Sequence, residues 1–171
     1  MSRAFVKETA ESAPPPERMV DEGPNLVTPE GLAQIDAHIA RIEASMKSEA
    51  NVLLRETLAR DLRYWEIRKV SAQVATPPAD DTVSFGSTVT IRRKDRTPPN
   101  GSVAAPRQRQ ADPPTSGRLQ TFRIVGVDEA DASKGLISYR APLAQAILGA
   151  RPGDIIEAGE PLGEIEITSI D

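Results

Sequence analysis

The sequence has no cysteine, one histidine (His38) and six aromatic side chains in 171 residues. Disulfides, thiolate metal sites and a cysteine nucleophile are therefore excluded, and a lone histidine builds neither a histidine metal cluster nor a catalytic triad. No apolar run approaches the ~20 residues that span a bilayer. The start, Met1-Ser2-Arg3-Ala4-Phe5-Val6-Lys7, has no apolar signal-peptide core. The expectation is a soluble cytoplasmic protein that uses no membrane.

Proline is plentiful at 15 residues, and it is clustered. Charge is uneven as well. Residues 1–91 carry 10 basic and 14 acidic side chains, 92–118 carry 7 and 2, and 119–171 carry 4 and 9. The chain is not a general basic nucleic-acid binder, because its one basic stretch is short and Pro-rich. Contact with nucleic acid is expected only indirectly or through that loop.

Residues 1–27 contain Pro14-Pro15-Pro16 and Gly23-Pro24 without an apolar period, and read as a flexible tail. Thr28-Pro29-Glu30 then reads as a helix start: a capping hydroxyl, a first-turn proline and an acid at the positive end of the dipole. Leu32, Ile35, Ile39, Ile42 and Met46 follow at helical spacing, and so do Leu54, Leu58, Leu62, Trp65 (or Tyr64), Ile67 and Val70. Pairing Leu32 with Val70 and Ile35 with Ile67 predicts an antiparallel hairpin over about 28–47 and 52–73. One long helix is the rival, because no Gly or Pro marks the reversal. Trp65 and Tyr64 are expected in the hairpin core, and His38 on the surface without a chemical role.

Pro77-Pro78 and Asp80-Asp81 mark a boundary. Beyond it, Val83–Ile91, with Gly86 as a bulge, reads as a strand. Phe122–Val125, Leu136–Tyr139, Ile155–Ile156 and Ile165–Ile170 read as further strands, and Pro142–Leu148 as a short helix with Leu143, Ile147 and Leu148 facing the sheet. The Pro-rich stretch at about 97–117 reads as a disordered insertion. The fold class is α+β: a tail to 27, a helical hairpin at 28–75, and a mostly antiparallel sheet domain with one short helix at 76–171.

Phe85-Gly86-Ser87-Thr88-Val89-Thr90-Ile91 resembles the first strand of the C-terminal domain of the GreA/GreB transcription elongation factors. The resemblance continues through Arg123-Ile124-Val125-Gly126-Val127-Asp128-Glu129-Ala130-Asp131, Leu136-Ile137-Ser138, Ala141-Pro142-Leu143-Ala144, Ile147-Leu148-Gly149 and Gly153-Asp154. Thr28-Pro29-Glu30-Gly31-Leu32 and Ser71-Ala72-Gln73-Val74 sit where the family's coiled coil begins and ends. The resemblance implies an FK506-binding-protein-like C-terminal domain that docks at the secondary channel of bacterial RNA polymerase. The coiled coil would enter that channel, where an acidic tip helps hold a second Mg²⁺ for RNA cleavage. Such a factor is no enzyme itself and carries no cofactor of its own.

The tip departs from that pattern. The family has an Asp and a Glu three residues apart, whereas the reversal here offers Glu49 alone, beside Lys47. The arms are shorter by about ten residues each, or ~15 Å of reach. A similar layout occurs in the regulator of nucleoside diphosphate kinase, which binds polymerase without stimulating cleavage. The expectation is therefore docking with poor cleavage or none, with Glu49 reaching a polymerase-held Mg²⁺ only if the arm is long enough.

By resemblance, the docking element is Tyr139, Arg140, Ala141, Pro142 and Gln145, with Ala144-Gln145 lacking the family's cation. Arg92, Arg93, Lys94 and Arg96, with Arg107, Arg109 and Arg118, are candidates for contact with phosphates or an acidic surface, though no aromatic platform accompanies them. No residue is assigned catalysis or metal binding. Two other readings remain: a stress or nucleotide-metabolism regulator using the same docking domain, and a prolyl isomerase, disfavoured by the scarcity of pocket aromatics.

Overall fold

A computed structural model describes residues 16–20, 22–93, 117–159 and 162–171. The insertion at 97–116, with Lys94, Arg96, Arg107 and Arg109, lies outside them, as do residues 1–15. The element order is β1 (Asn25–Val27), α1 (Pro29–Ser48), α2 (Val52–Val70), β2 (Ala72–Val74), β3 (Thr88–Arg93), β4 (Arg118–Val125), β5 (Leu136–Ser138), α3 (Pro142–Ile147), β6 (Ile155–Glu157) and β7 (Glu164–Ile170). The fold is α+β. The chain divides into a helical unit, which takes Leu32–Gln73 and the described residues up to Asn25, and a sheet unit of Leu26–Gly31 with Val74–Asp171.

The helical unit is a hairpin. Asp36 pairs with Lys69 at 2.7 Å, and the His38 and Trp65 rings stack at 4.3 Å with planes 1° apart. The partner numbers rise on one helix as they fall on the other, so the helices run antiparallel and the single-helix rival fails. Asn51 starts α2: it is extended, and its side chain accepts from Leu54 N at 3.1 Å.

The phase of α2 differs from the expected stripe. Ile67 is 51% exposed and Val70 89%, while Arg68 is only 5% exposed. Leu58, Leu62 and Trp65 are half-buried. Ile67 lies two residues from Trp65, about 200° round the helix, so both cannot face one seam. His38, expected on the surface, is half-buried against Trp65.

Residues expected to be tail also take part. Asn25–Val27 is strand β1, paired with β2 in a two-stranded sheet. Arg18 lies 3.7 Å over the Tyr64 ring, Glu17 bonds Arg63, and Asn25 Nδ2 donates to the Arg68 carbonyl at 2.8 Å. A cation over an aromatic face and a buried amide donor are specific enough to hold Pro-flanked segments that hydrophobic periodicity does not reveal.

The sheet unit holds a five-stranded sheet in the order β5-β4-β3-β7-β6. Alternation along the strands places Val89 and Ile91, Phe122 and Ile124, and Ile165 and Ile167 on one face, and Ala144 and Ile147 of α3 close it. The sheet is mostly antiparallel, as expected, and the one exception among the described strands is β5, which runs parallel to β4. The ten residues 126–135 contain two 3₁₀ turns and carry the chain back to the start of its neighbour, as a parallel crossover requires. The expected strand Val83–Ile91 begins only at Thr88. Ser84–Ser87 is a tight turn with Gly86 at φ +90°, and the irregularity against β7 falls between Thr90 and Ile91. Leu148, expected to face the sheet, is 37% exposed, and Ala144 is buried instead.

Candidate functional site

The turn between β5 and α3 carries the candidate docking residues, and it is rigid. Tyr139 N donates to Val125 O at 2.9 Å, Ala141 N to Ser138 O at 2.8 Å, and Gln145 Nε2 to Tyr139 O at 2.6 Å. Arg140 Nε donates to the Tyr139 hydroxyl at 3.1 Å. The Tyr139 ring meets Phe85 edge-on at 5.8 Å. Pro142 starts α3 with no N–H to satisfy, while Ala144 and Ile147 anchor the helix in the core. Pro142, Gln145 and Leu148 remain exposed and Ala141 half-buried. The five docking candidates expected from the sequence therefore share one place.

Glu129 is a site residue that lies in the family-like run but to which sequence reasoning gives no role. It is 7% exposed, and its Oε1 accepts from Thr28 N at 2.9 Å and Gly126 N at 3.1 Å, while Oε2 accepts the Thr28 hydroxyl. Thr28 Oγ1 in turn accepts from Gly31 N at 3.0 Å, which caps α1 as expected. In an ordinary capping box a Glu three residues into the helix reaches back to the capping N–H. Here that position is Gly31, and a Cβ there would lie 2.1 Å from Glu129 Cδ. The carboxylate is thus supplied from 101 residues away, into space a glycine vacates. Nearby, Arg123 donates to Gly86 O at 3.2 Å and pairs with Glu30 at 3.3 Å. The pairing of Thr-x-x-Gly with a distant Asp-Glu-Ala-Asp run is the only sequence signal of this arrangement.

At the hairpin tip, Glu49 is half-buried rather than thrust outward. Its Oε1 accepts from Asn51 N at 2.8 Å, and Arg55 donates to its backbone carbonyl at 2.9 Å. The neighbouring exposed surface is mixed: Val52, Leu53 and Leu54 are 72%, 46% and 51% exposed, beside exposed Lys47, Asn51, Arg55 and Glu56. Among the described residues, no three His, Asp or Glu side chains stand together as a metal site. No helix among them is long and apolar enough to cross a membrane.

The basic candidates separate. Arg92 pairs with Glu166 at 3.1 Å. Arg93 and Arg118 face each other across β3 and β4.

The family model "Transcription elongation factor, GreA/GreB, C-term" matches residues 113–171. A GreA from Bradyrhizobium diazoefficiens is 31% identical over 136 residues, covering 78% of this chain and 68% of that protein. The chain belongs to the GreA/GreB family. A GreB from Neisseria meningitidis serogroup B is 35% identical over 117 residues, 66% of this chain and 59% of that factor, so the match spans little more than half of the relative's length. Among solved structures, the Gfh1 protein of Thermus thermophilus aligns with a TM-score of 0.37 at 17% identity, over 87% of this chain and 99% of that one. A GreA/GreB factor from Nitrosomonas europaea aligns with a TM-score of 0.37 at 20% identity, over 87% and 98%.

Proposed function

We propose that this GreA/GreB-family chain is a cytoplasmic, non-enzymatic regulator of transcription elongation. It binds RNA polymerase at the secondary channel through the Tyr139–Gln145 turn, and stimulates transcript cleavage poorly or not at all. The observation that supports docking is the turn itself: a backbone fixed by Gln145 and Ser138, with an exposed Pro142 edge, inside the segment matched by the family model. A preorganised surface loses little conformational entropy on binding. The reading of weak cleavage rests on the tip, where the one carboxylate of the reversal, Glu49, already accepts from the Asn51 N–H.

Binding is tested by pull-down of purified core polymerase with full-length protein and Pro142→Glu. That side chain is exposed at the first turn of α3, where an acid suits the helix dipole, so stability should hold. Binding should weaken at least several-fold. Equal capture of both proteins would reject the turn as the docking element. Cleavage is scored on backtracked complexes, with Glu49→Gln beside wild type. Robust wild-type cleavage abolished by Glu49→Gln would overturn the weak-cleavage reading and leave the docking one standing.

A further inference from the structure

Arg93 ends β3 and Arg118 begins β4, and the ladder places them directly opposite. Opposed residues of an antiparallel pair share a face, with Cβ atoms about 5 Å apart, and like charges there repel. A sheet end normally avoids this or inserts a carboxylate. Among the described residues neither guanidinium has one: the only ion pair at this end is Arg92–Glu166, and Arg92 alternates to the other face. The Arg93 Nε is buried and has no acceptor among them. Its ladder neighbour on the other side is Ile165, fully buried and apolar. Two forked donors therefore rise from opposed positions on one face, with no carboxylate paired to either among the described residues.

We infer that the Arg93–Arg118 pair is an oxyanion site that takes the phosphodiester backbone of a nucleic acid. Guanidinium forks match the planar spread of phosphate oxygens and bind them bidentately. Arg118 is exposed and Arg93 half-buried, so the site is open on one side and suits a polymer running across it better than a small enclosed ion. Residues 92–118 carry five more positive than negative charges, in a chain whose net charge is −4. A polyanion is repelled by the net charge of the chain and attracted by the two opposed arginines. No aromatic side chain lies among residues 86–121, so the contact reads backbone rather than bases. This inference stands apart from polymerase binding and does not depend on it.

The test is fluorescence anisotropy of a labelled 20-nucleotide single-stranded RNA and a matching DNA duplex, titrated with full-length protein from low to physiological salt. Wild type should bind weakly, without sequence preference, and lose affinity as salt rises. Arg93→Gln and Arg118→Gln should each lower the salt slope by about one and weaken binding alike for all sequences. The double variant should bind no measurable RNA or DNA, while Arg92→Gln, at a residue that alternates to the other face and pairs with Glu166, should weaken binding less than either single variant. Both single variants should fold, since each relieves a repulsion, and thermal melts check this. Absence of wild-type binding, or binding unchanged in the double variant, would overturn the inference. So would displacement of the RNA by millimolar inorganic phosphate, or equally tight capture of a polyglutamate peptide.

Discussion

The two units of the chain hold themselves together by different means. The sheet unit has a continuous core of nine buried residues, from Val83 to Ile167. Among the described residues of the helical unit, Ile35 is the one apolar side chain that is fully buried. Two helices meet along a seam, whereas a sheet covered by a helix encloses a layer. The hairpin compensates with His38 on Trp65, Arg18 over Tyr64, Lys69 with Asp36 and the Asn25 amide on Arg68 O. The one ion pair among these, Lys69 with Asp36, is exposed and adds little. The sheet is thus the stable platform that carries the proposed docking turn, and the hairpin is the softer element.

The largest expected effect tests that contrast directly. Ile124 is completely buried in β4, and Ile124→Ala should cost about 2–5 kcal/mol. Leu62 is half-buried in α2, and Leu62→Ala should cost about 1–2 kcal/mol. Trp65 is the single tryptophan, so its fluorescence follows the hairpin while far-UV circular dichroism follows the whole chain. Urea unfolding should show Leu62→Ala moving the Trp65 transition. A larger loss from Leu62→Ala than from Ile124→Ala would break the comparison.

Next in size is the carboxylate that caps α1 from a distance. Glu129→Ala strands the Thr28 and Gly126 N–H groups in a buried place, and should cost about 3 kcal/mol. Gly31→Ala gives the sharper test, because two principles disagree on its sign. Helix propensity alone favours alanine by about 1 kcal/mol. The structure puts the new Cβ 2.1 Å from Glu129 Cδ, so the variant should instead be destabilised. In the Glu129→Ala background that penalty should vanish and the propensity gain return. A stabilising Gly31→Ala in the wild-type background would refute the capping arrangement.

Much of this is legible where the sequence carries local signals. Thr28-Pro29-Glu30 announces the start of α1, and Pro142 that of α3, because capping and proline geometry act within one turn. The family resemblance alone assigns Tyr139 to Gln145 to a single turn. What escapes is long-range or phase-dependent. Nothing local says that Glu129 serves Thr28, since the capping position holds Gly31 and the missing acid lies in another element. The inward face of α2 is misjudged because Ile67 and Val70 are apolar, yet Arg68 is buried and they are not. Parallel β5 is missed because alternation reveals a strand and its faces but not its direction.

The smallest expected effect lies at the rim of the sheet unit, in the crossover between β4 and β5. Asp131 caps a 3₁₀ turn: its Oδ1 accepts from Ser133 N at 3.0 Å and from the Ser133 hydroxyl at 2.6 Å, and Lys134 pairs with Oδ2 at 3.0 Å. These bonds favour the ionised form. The Ser133 hydroxyl comes first and Lys134 next in holding the carboxyl down at about 2, against 3.8 ordinarily. A carboxyl depressed by folding adds stability that is complete above its unfolded value and fades as pH falls toward the folded one. The window here is therefore roughly pH 4 down to pH 2. Asp131→Asn keeps the acceptor for Ser133 but removes the charge facing Lys134. Melting of wild type should exceed that of Asp131→Asn by a small margin at pH 6, smaller than the Gly31→Ala loss. The margin should close between pH 4 and pH 2. A margin that stayed constant across that window would mean the carboxylate's charge contributes nothing, and that the turn is held by the Ser133 bonds alone.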